Sequence, residues 1–124
     1  MKVAQIARMV AKPGQRDTLV NALAPAFPKA ERETGTELYV MMVNARTLTK
    51  SIKDEGGAEV TITPHPDEVW FIELYDDEAA VKAHEDGYAL DRATHSIGPR
   101  LRELLAEQHT IVQANPIRAK GIEV

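Results

Sequence analysis

Cysteine is absent from the 124-residue chain. That excludes a disulfide scaffold, a thiolate zinc site, an iron–sulfur cluster and a cysteine nucleophile. It agrees with a reducing compartment, and the expectation is a cytoplasmic protein. A basic block is absent too. Fifteen Lys and Arg face nineteen Asp and Glu, for a formal net charge of −4, so neither nucleic acid nor an anionic membrane surface is an expected partner. No run approaches the ~20 apolar residues of a membrane span. The first ten residues, interrupted by Gln5 and Arg8, do not read as a signal-peptide core. No glycine pattern resembles a phosphate loop or a dinucleotide fingerprint, and no Gly-x-Ser-x-Gly elbow occurs. The four histidines form no His-Glu-x-x-His pattern and no short pair, so a metal site is unsupported. No cofactor is expected. Any chemistry has to rest on shape, a few polar groups and the reactivity of the bound molecule itself.

What is present describes a folded globule. The 44% apolar content is ordinary, and the 27% charged content is too low for a disordered acidic chain. The length matches one domain of ~100–150 residues, and no repeat, low-complexity tract or linker divides 1–124. A chain of this size buries ~65–70% of the surface its unfolded form exposes.

The hydrophobic period organises the chain. Residues 3–10 alternate and read as a strand, which Lys12-Pro13-Gly14 ends. Leu19, Leu23, Phe27 and Ala30 recur at helical spacing, with Asp17 near the start and a kink or second segment expected at Pro25 and Pro28. Gly35 stops this helix. Residues 36–46 read as a second strand. In the segment 47–66, the runs 48–52 and 59–63 flank Gly56-Gly57 and suggest an inserted hairpin. Residues 68–75 are the clearest strand. Asp76 and Asp77 are natural N-caps for a helix to about Asp86, punctuated by Gly87. A further helical stretch covers Tyr88 to His95, and Gly98-Pro99 breaks or restarts it before Leu101, Leu104 and Leu105. Residues 109–114 form a last core strand, and the tail 116–124 has room for another short one. This order is that of an α+β, ferredoxin-like sandwich on an antiparallel sheet.

Strand 68–75 carries Val69, Phe71, Glu73 and Tyr75 on one face and Trp70, Ile72 and Leu74 on the other. Both faces are largely apolar. Helices cover one, and the other demands a partner, which is the argument for a homodimer. Glu73 is the anomaly among these neighbours: a base or orienting group in a pocket, or a structural carboxylate with a partner. His84 lies at helical spacing from Ala80 and Tyr88. It is either a proton shuttle or a core histidine bonded to a carbonyl. His95 lies before the Gly98-Pro99 break, near the same cleft or at a helix end.

Residues 67–86, DEVWFIELYDDEAAVKAHED, resemble the antibiotic biosynthesis monooxygenase domain family. In that family this strand commonly ends in a glutamate, one residue and an aromatic, followed by an acidic cap and a short helix ending in Ala-His. The matching residues are Glu73, Tyr75, Asp76-Asp77 and Ala83-His84. The resemblance, spread over residues 3 to about 115, implies a dimeric α+β barrel with a pocket in each subunit between sheet and helices. It also implies a cofactor-independent monooxygenase acting on a small phenolic, quinol or polycyclic aromatic molecule, whose electron-rich anion reduces oxygen itself. Catalytic roles then fall on His84, Tyr75 and Glu73, and substrate contacts on Phe71, His95, Tyr88 and Gln5. A haem-degrading branch would match at His95, but it wants an Asn where Ala7 stands and a Trp where Tyr75 stands, so that activity is set aside. Two alternatives stay open: a non-catalytic dimeric module that binds a small hydrophobic ligand, and a purely structural dimer.

Overall fold

The alternation of residues 3–10 becomes strand β1 (Val3–Val10), in which every second side chain from Val3 to Met9 is buried. The computed structural model describes residues 1–50, 60–95 and 97–124, and of 88–95 and 97–99 the backbone alone. After the turn at Lys12-Pro13-Gly14 come two short helices, α1 (Arg16–Leu23) and α2 (Ala26–Glu31). Pro25 stands between them, where its missing amide costs little, and it supplies the expected interruption. Strand β2 (Thr36–Met42) follows. It ends four residues before the expected boundary, because Asn44 takes a left-handed turn with φ 59°.

That turn launches a paired arm, β3 (Arg46–Lys50) and β4 (Val60–Pro64), antiparallel as expected. The Gly56-Gly57 turn lies outside the described residues. One face of the arm carries Thr47, Thr49, Thr61 and Thr63; the other carries Leu48, Val60 and Ile62, all exposed. Strand β5 (Glu68–Tyr75) re-enters the body. Helix α3 (Glu78–His95) is capped by the Asp77 carboxylate, which accepts the Ala80 amide at 2.9 Å. Then come α4 (Ile97–Leu104) and β6 (Thr110–Ala114).

Two expectations need correction. Helix α3 does not break near Gly87 but runs through it to His95. The missing side chain there makes room for Lys29: a Cβ at Gly87 would stand 2.8 Å from the Lys29 Cε. Glycine in a helix is unfavourable by ~1 kcal/mol, so its presence points to a packing need rather than a stop. The tail beyond Pro116 contains no strand.

The main sheet has the order β2-β5-β1-β6 and is antiparallel throughout. Strands β1 and β2 flank β5, which runs against both. With the arm set aside this is the split βαβ arrangement of a ferredoxin-like sandwich. Helices cover one face. Beneath them lie two apolar clusters: a large one around Met9, Leu19, Leu23, Val69, Phe71, Leu101 and Leu104, and a small one of Val3, Tyr75 and Val81. The opposite face is open. Val40, Ile72, Ile6 and Val112 stand in register across all four strands, and Ile6 and Val112 keep 45% and 64% of their surface exposed. Among the described residues no helix is long and apolar enough to cross a membrane.

Leu19 is fully buried at the centre of the large cluster. Leu19→Ala is expected to lower stability by about 3 kcal/mol through the cavity it leaves. Thr49→Ala on the exposed arm should stay within about 0.5 kcal/mol. Urea unfolding of both variants checks this; equal costs would mean that Leu19 does not sit in the main core.

Candidate functional site

Between the two apolar clusters, the helix-facing side of the sheet carries a polar row. Strand register places Tyr39 beside Glu73, Glu73 beside Gln5, and Gln5 beside Gln113. Period-two alternation turns all four to the helix side. The Gln113 amide donates to the Gln5 carbonyl oxygen at 2.7 Å, and the Gln5 amide donates to a Glu73 carboxylate oxygen. Gln5 and Glu73 are both buried.

Helix α3 brings His84 down onto this row. Its ring lies between Tyr39 and Tyr75, with ring centres 5.4 Å from each. Nε2 points toward Glu73, 3.9 Å from Oε1. Nδ1 faces the Glu33 carboxylate at 2.8 and 3.0 Å. Glu33 is in turn met by the buried Lys29 ammonium at 3.3 Å, which also donates to the His84 backbone carbonyl at 3.1 Å. Five buried or half-buried polar side chains thus connect three parts of the fold, as buried charge requires.

The electrostatics follow from burial. Desolvation pushes the Glu73 carboxyl above its ordinary range, and nearby Glu33 adds to this. The Gln5 hydrogen bond and His84 pull the other way without cancelling it. Burial also drives the Tyr75 hydroxyl far up, helped by the Glu73 charge, so Tyr75 stays a neutral phenol. Its oxygen is buried, on the side of Glu73.

A pocket of about 320 Å³ opens beside this cluster. Its polar end is made by Gln5, Glu73 and His84, with Glu85 and His109 also on its lining. Its apolar wall includes Phe71, Ala7, Met9, Leu23, Leu101 and Ile111. Phe71, Ala7 and Ile111 are cross-strand neighbours, so one sheet row forms the floor. The small side chain of Ala7 leaves room there.

Four of the seven residues singled out from the sequence, Glu73, His84, Phe71 and Gln5, border this pocket. Tyr75 does not line it: it is fully buried behind His84, in the small cluster with Val3 and Val81. Tyr88 and His95 belong to α3, and their side chains lie outside the described residues. Sequence reading missed Glu33, Lys29, Tyr39 and Gln113. The Lys29–Glu33 spacing is a legible helical pair, but a contact between residues 33 and 84 leaves no local trace. Among the described residues no three His, Asp or Glu side chains converge as ligands for a metal ion.

With this geometry in place, comparison with known proteins is informative. The family model for antibiotic biosynthesis monooxygenase matches residues 2–95, and the chain belongs to that family. No curated protein matches it. A solved structure of a Nitrosomonas europaea protein of unknown function is 25% identical over 99% of this chain and 96% of its own, with a TM-score of 0.66. One from Shewanella oneidensis is 24% identical over 91% and 88%, with a TM-score of 0.64. A Chloroflexus aurantiacus structure carrying the family's name is 24% identical over 99% and 100%, with a TM-score of 0.57. These likenesses carry the fold.

Because the folded chain favours protonated Glu73, this residue's stabilising contribution is complete below the ordinary carboxylate value near 4.5 and is lost as pH rises through the higher folded value. Glu73→Gln keeps an acceptor for Gln5 without a charge to bury. Its melting temperature is expected to exceed that of the wild type at pH 8, with the gap closing toward pH 4. A gap that does not change with pH would show that Glu73 is not destabilised by its surroundings.

Proposed function

We propose that the chain is a cofactor-independent monooxygenase acting on a small phenolic, quinol or polycyclic aromatic molecule held in the pocket below α3. The observation that carries this reading is an apolar pocket of about 320 Å³ ending in Glu73, Gln5 and His84. The volume is at the low end of ligand pockets generally and suits a small planar molecule. Phe71 supplies a ring wall, and Ala7 leaves space over the floor.

A phenolic hydroxyl placed at the polar end meets Glu73 Oε1 and His84 Nε2, which stand 3.9 Å apart. His84 takes its proton, leaving an electron-rich anion. That anion reduces oxygen: one oxygen atom bonds to a ring carbon, and the other leaves as water, taking the one hydrogen of that ring carbon and the hydroxyl proton held on His84. The product is a quinone. The surrounding apolar wall excludes bulk water, and the polar end directs the substrate oxygen. The purely structural alternative sits poorly with a cavity beside the polar cluster. The binding-module alternative predicts ligand retention without turnover.

The open sheet face supports a homodimer. The in-register row Val40, Ile72, Ile6 and Val112 is apolar and exposed, and a second copy presenting the same row covers it. Packing the two sheets face to face makes the α+β barrel that the family resemblance implies. Below this row, Arg8 pairs with Glu68, whose second oxygen accepts the Trp70 indole N–H at 2.9 Å. Burial raises the Glu68 carboxyl, and the Arg8 and Trp70 hydrogen bonds more than reverse it, so the group is held ionised.

Two experiments test these statements. Oxygen uptake is expected with anthrone- or quinol-type substrates and is expected to fall by roughly 10²-fold in His84→Ala, the range of a lost acid–base group. No uptake above buffer across such a panel, with a ligand retained in native mass spectrometry, would favour the binding module instead. Light scattering is expected to give twice the 13.7 kDa chain mass, and Ile72→Glu is expected to halve it; a wild-type monomer at micromolar concentration would sink the dimer.

A further inference from the structure

His84 is held from both sides, and only one side belongs to the pocket. Its Nε2 faces Glu73 at the pocket end. Its Nδ1 lies 2.8 Å from Glu33 Oε1 and 3.0 Å from Oε2. A carboxylate only accepts hydrogen bonds, so the ring nitrogen facing it carries the hydrogen. In the neutral ring the other nitrogen is then bare. Glu33 follows α2 and does not line the pocket; it acts on the pocket only through the imidazole. We propose that Glu33 is a positioning residue: it holds the His84 hydrogen on Nδ1, so that a bare Nε2 faces the pocket, and it supplies the counter-charge when the ring becomes an imidazolium.

The surroundings of the ring favour this assignment. The groups facing it are Glu73 and Tyr75 from β5, Tyr39 from β2, and Glu33 beyond α2. The two tyrosine rings flank the imidazole, and the contact with Glu33 fixes its rotation about the remaining bond. Lys29 fixes the carboxylate in turn, since its ammonium reaches both Glu33 and the His84 carbonyl. That double contact ties the Glu33 segment to the turn of α3 that carries His84. Gly87 lies under the Lys29 stem and gives it passage. The arrangement follows the logic of a histidine oriented by a buried acid. The proton balance is closed: Nε2 takes the proton of the bound hydroxyl, Nδ1 keeps its own, and Nε2 returns its proton to the reduced oxygen that leaves as water.

The role of Glu33 rests on the reading of the pocket as the reacting site, and the test separates the two. Ring-nitrogen NMR on the ¹⁵N-labelled full chain without substrate, at a pH where the imidazole is neutral, reads the tautomer directly. The expected wild-type spectrum has His84 hydrogen on Nδ1 and a bare Nε2. Glu33→Gln keeps an acceptor and should retain that tautomer; Glu33→Ala should lose it. Hydrogen on Nε2 in the wild type, or an unchanged tautomer in folded Glu33→Ala, would overturn the proposal. If Glu33→Ala does not fold, the wild-type spectrum alone decides. In oxygen uptake, Glu33→Ala should lower kcat by roughly 10- to 100-fold with KM little changed, the cost of a misaligned group. Glu33→Gln should recover part of that loss. A substrate panel that gives no uptake would remove the oxygenase reading and leave the tautomer result standing.

Discussion

Residues 5 and 73 sit opposite each other across the β1–β5 pair, and their neighbours 6 and 72 do the same one step on. That single register decides the character of both faces of the sheet. With it, Gln5 and Glu73 turn toward the helices, and Ile6 and Ile72 turn away. A slip of β5 by one residue would turn Glu73 outward and Ile72 inward, splitting the polar pair between the two faces. The arrangement chosen is the costlier one for a lone chain, because it hides a carboxylate and leaves an apolar row in water. Two features go with it: a polar end in the pocket on the helix side, and an exposed apolar row on the other.

Hiding the carboxylate requires a chain of partners, and the fold supplies them from distant segments. Gln113 on β6 orients Gln5, Gln5 binds Glu73, and His84 on α3 faces Glu73 from above. Glu33 and Lys29 complete the chain on the helix side. The belt separates what would otherwise be one continuous apolar core into two clusters. Removing any one partner leaves another polar group buried and unpaired, which costs more than the bond itself contributes. The belt therefore behaves as a unit, and its geometry is set by sheet register and helix depth rather than by any one side chain.

The periodic signals made most of this fold legible before any coordinates. Strand 68–75 reads as a strand because its apolar residues are continuous and β-branched or aromatic. The arm reads as a hairpin because Thr alternates with Leu, Val and Ile on either side of a Gly-Gly pair. Glu73 stood out because a carboxylate is rare in such surroundings, and His84 because helical spacing put it beside Ala80. The failures share one cause, which is contact between segments far apart in sequence. Gly87 reads locally as a break, yet the helix continues, because a lysine 58 residues away in the chain occupies the space a side chain would take. The family resemblance puts Tyr75 at the pocket, yet His84 lies in front of it. Nothing near Glu33 announces a histidine partner on another helix.

The depth of α3 is where these distant contacts converge. Two glycines allow the helix to sit close: Gly35, where an added Cβ would come within 2.5 Å of the Ala80 Cβ, and Gly87, where it would strike Lys29. The first lets the loop before β2 pass under the first turn of the helix; the second lets the lysine cross a later turn. His84 lies between these two points, one turn beyond Ala80 and three residues before Gly87. A side chain at Gly35 would press on the first turn of the helix, and one at Gly87 would displace the end of Lys29 from its contacts. The His84 ring, held by Glu33 on one side and facing Glu73 on the other, depends on that placement. Two absent side chains, one admitting the first turn of the helix and one admitting Lys29, thus stand on either side of the histidine that joins the two carboxylates.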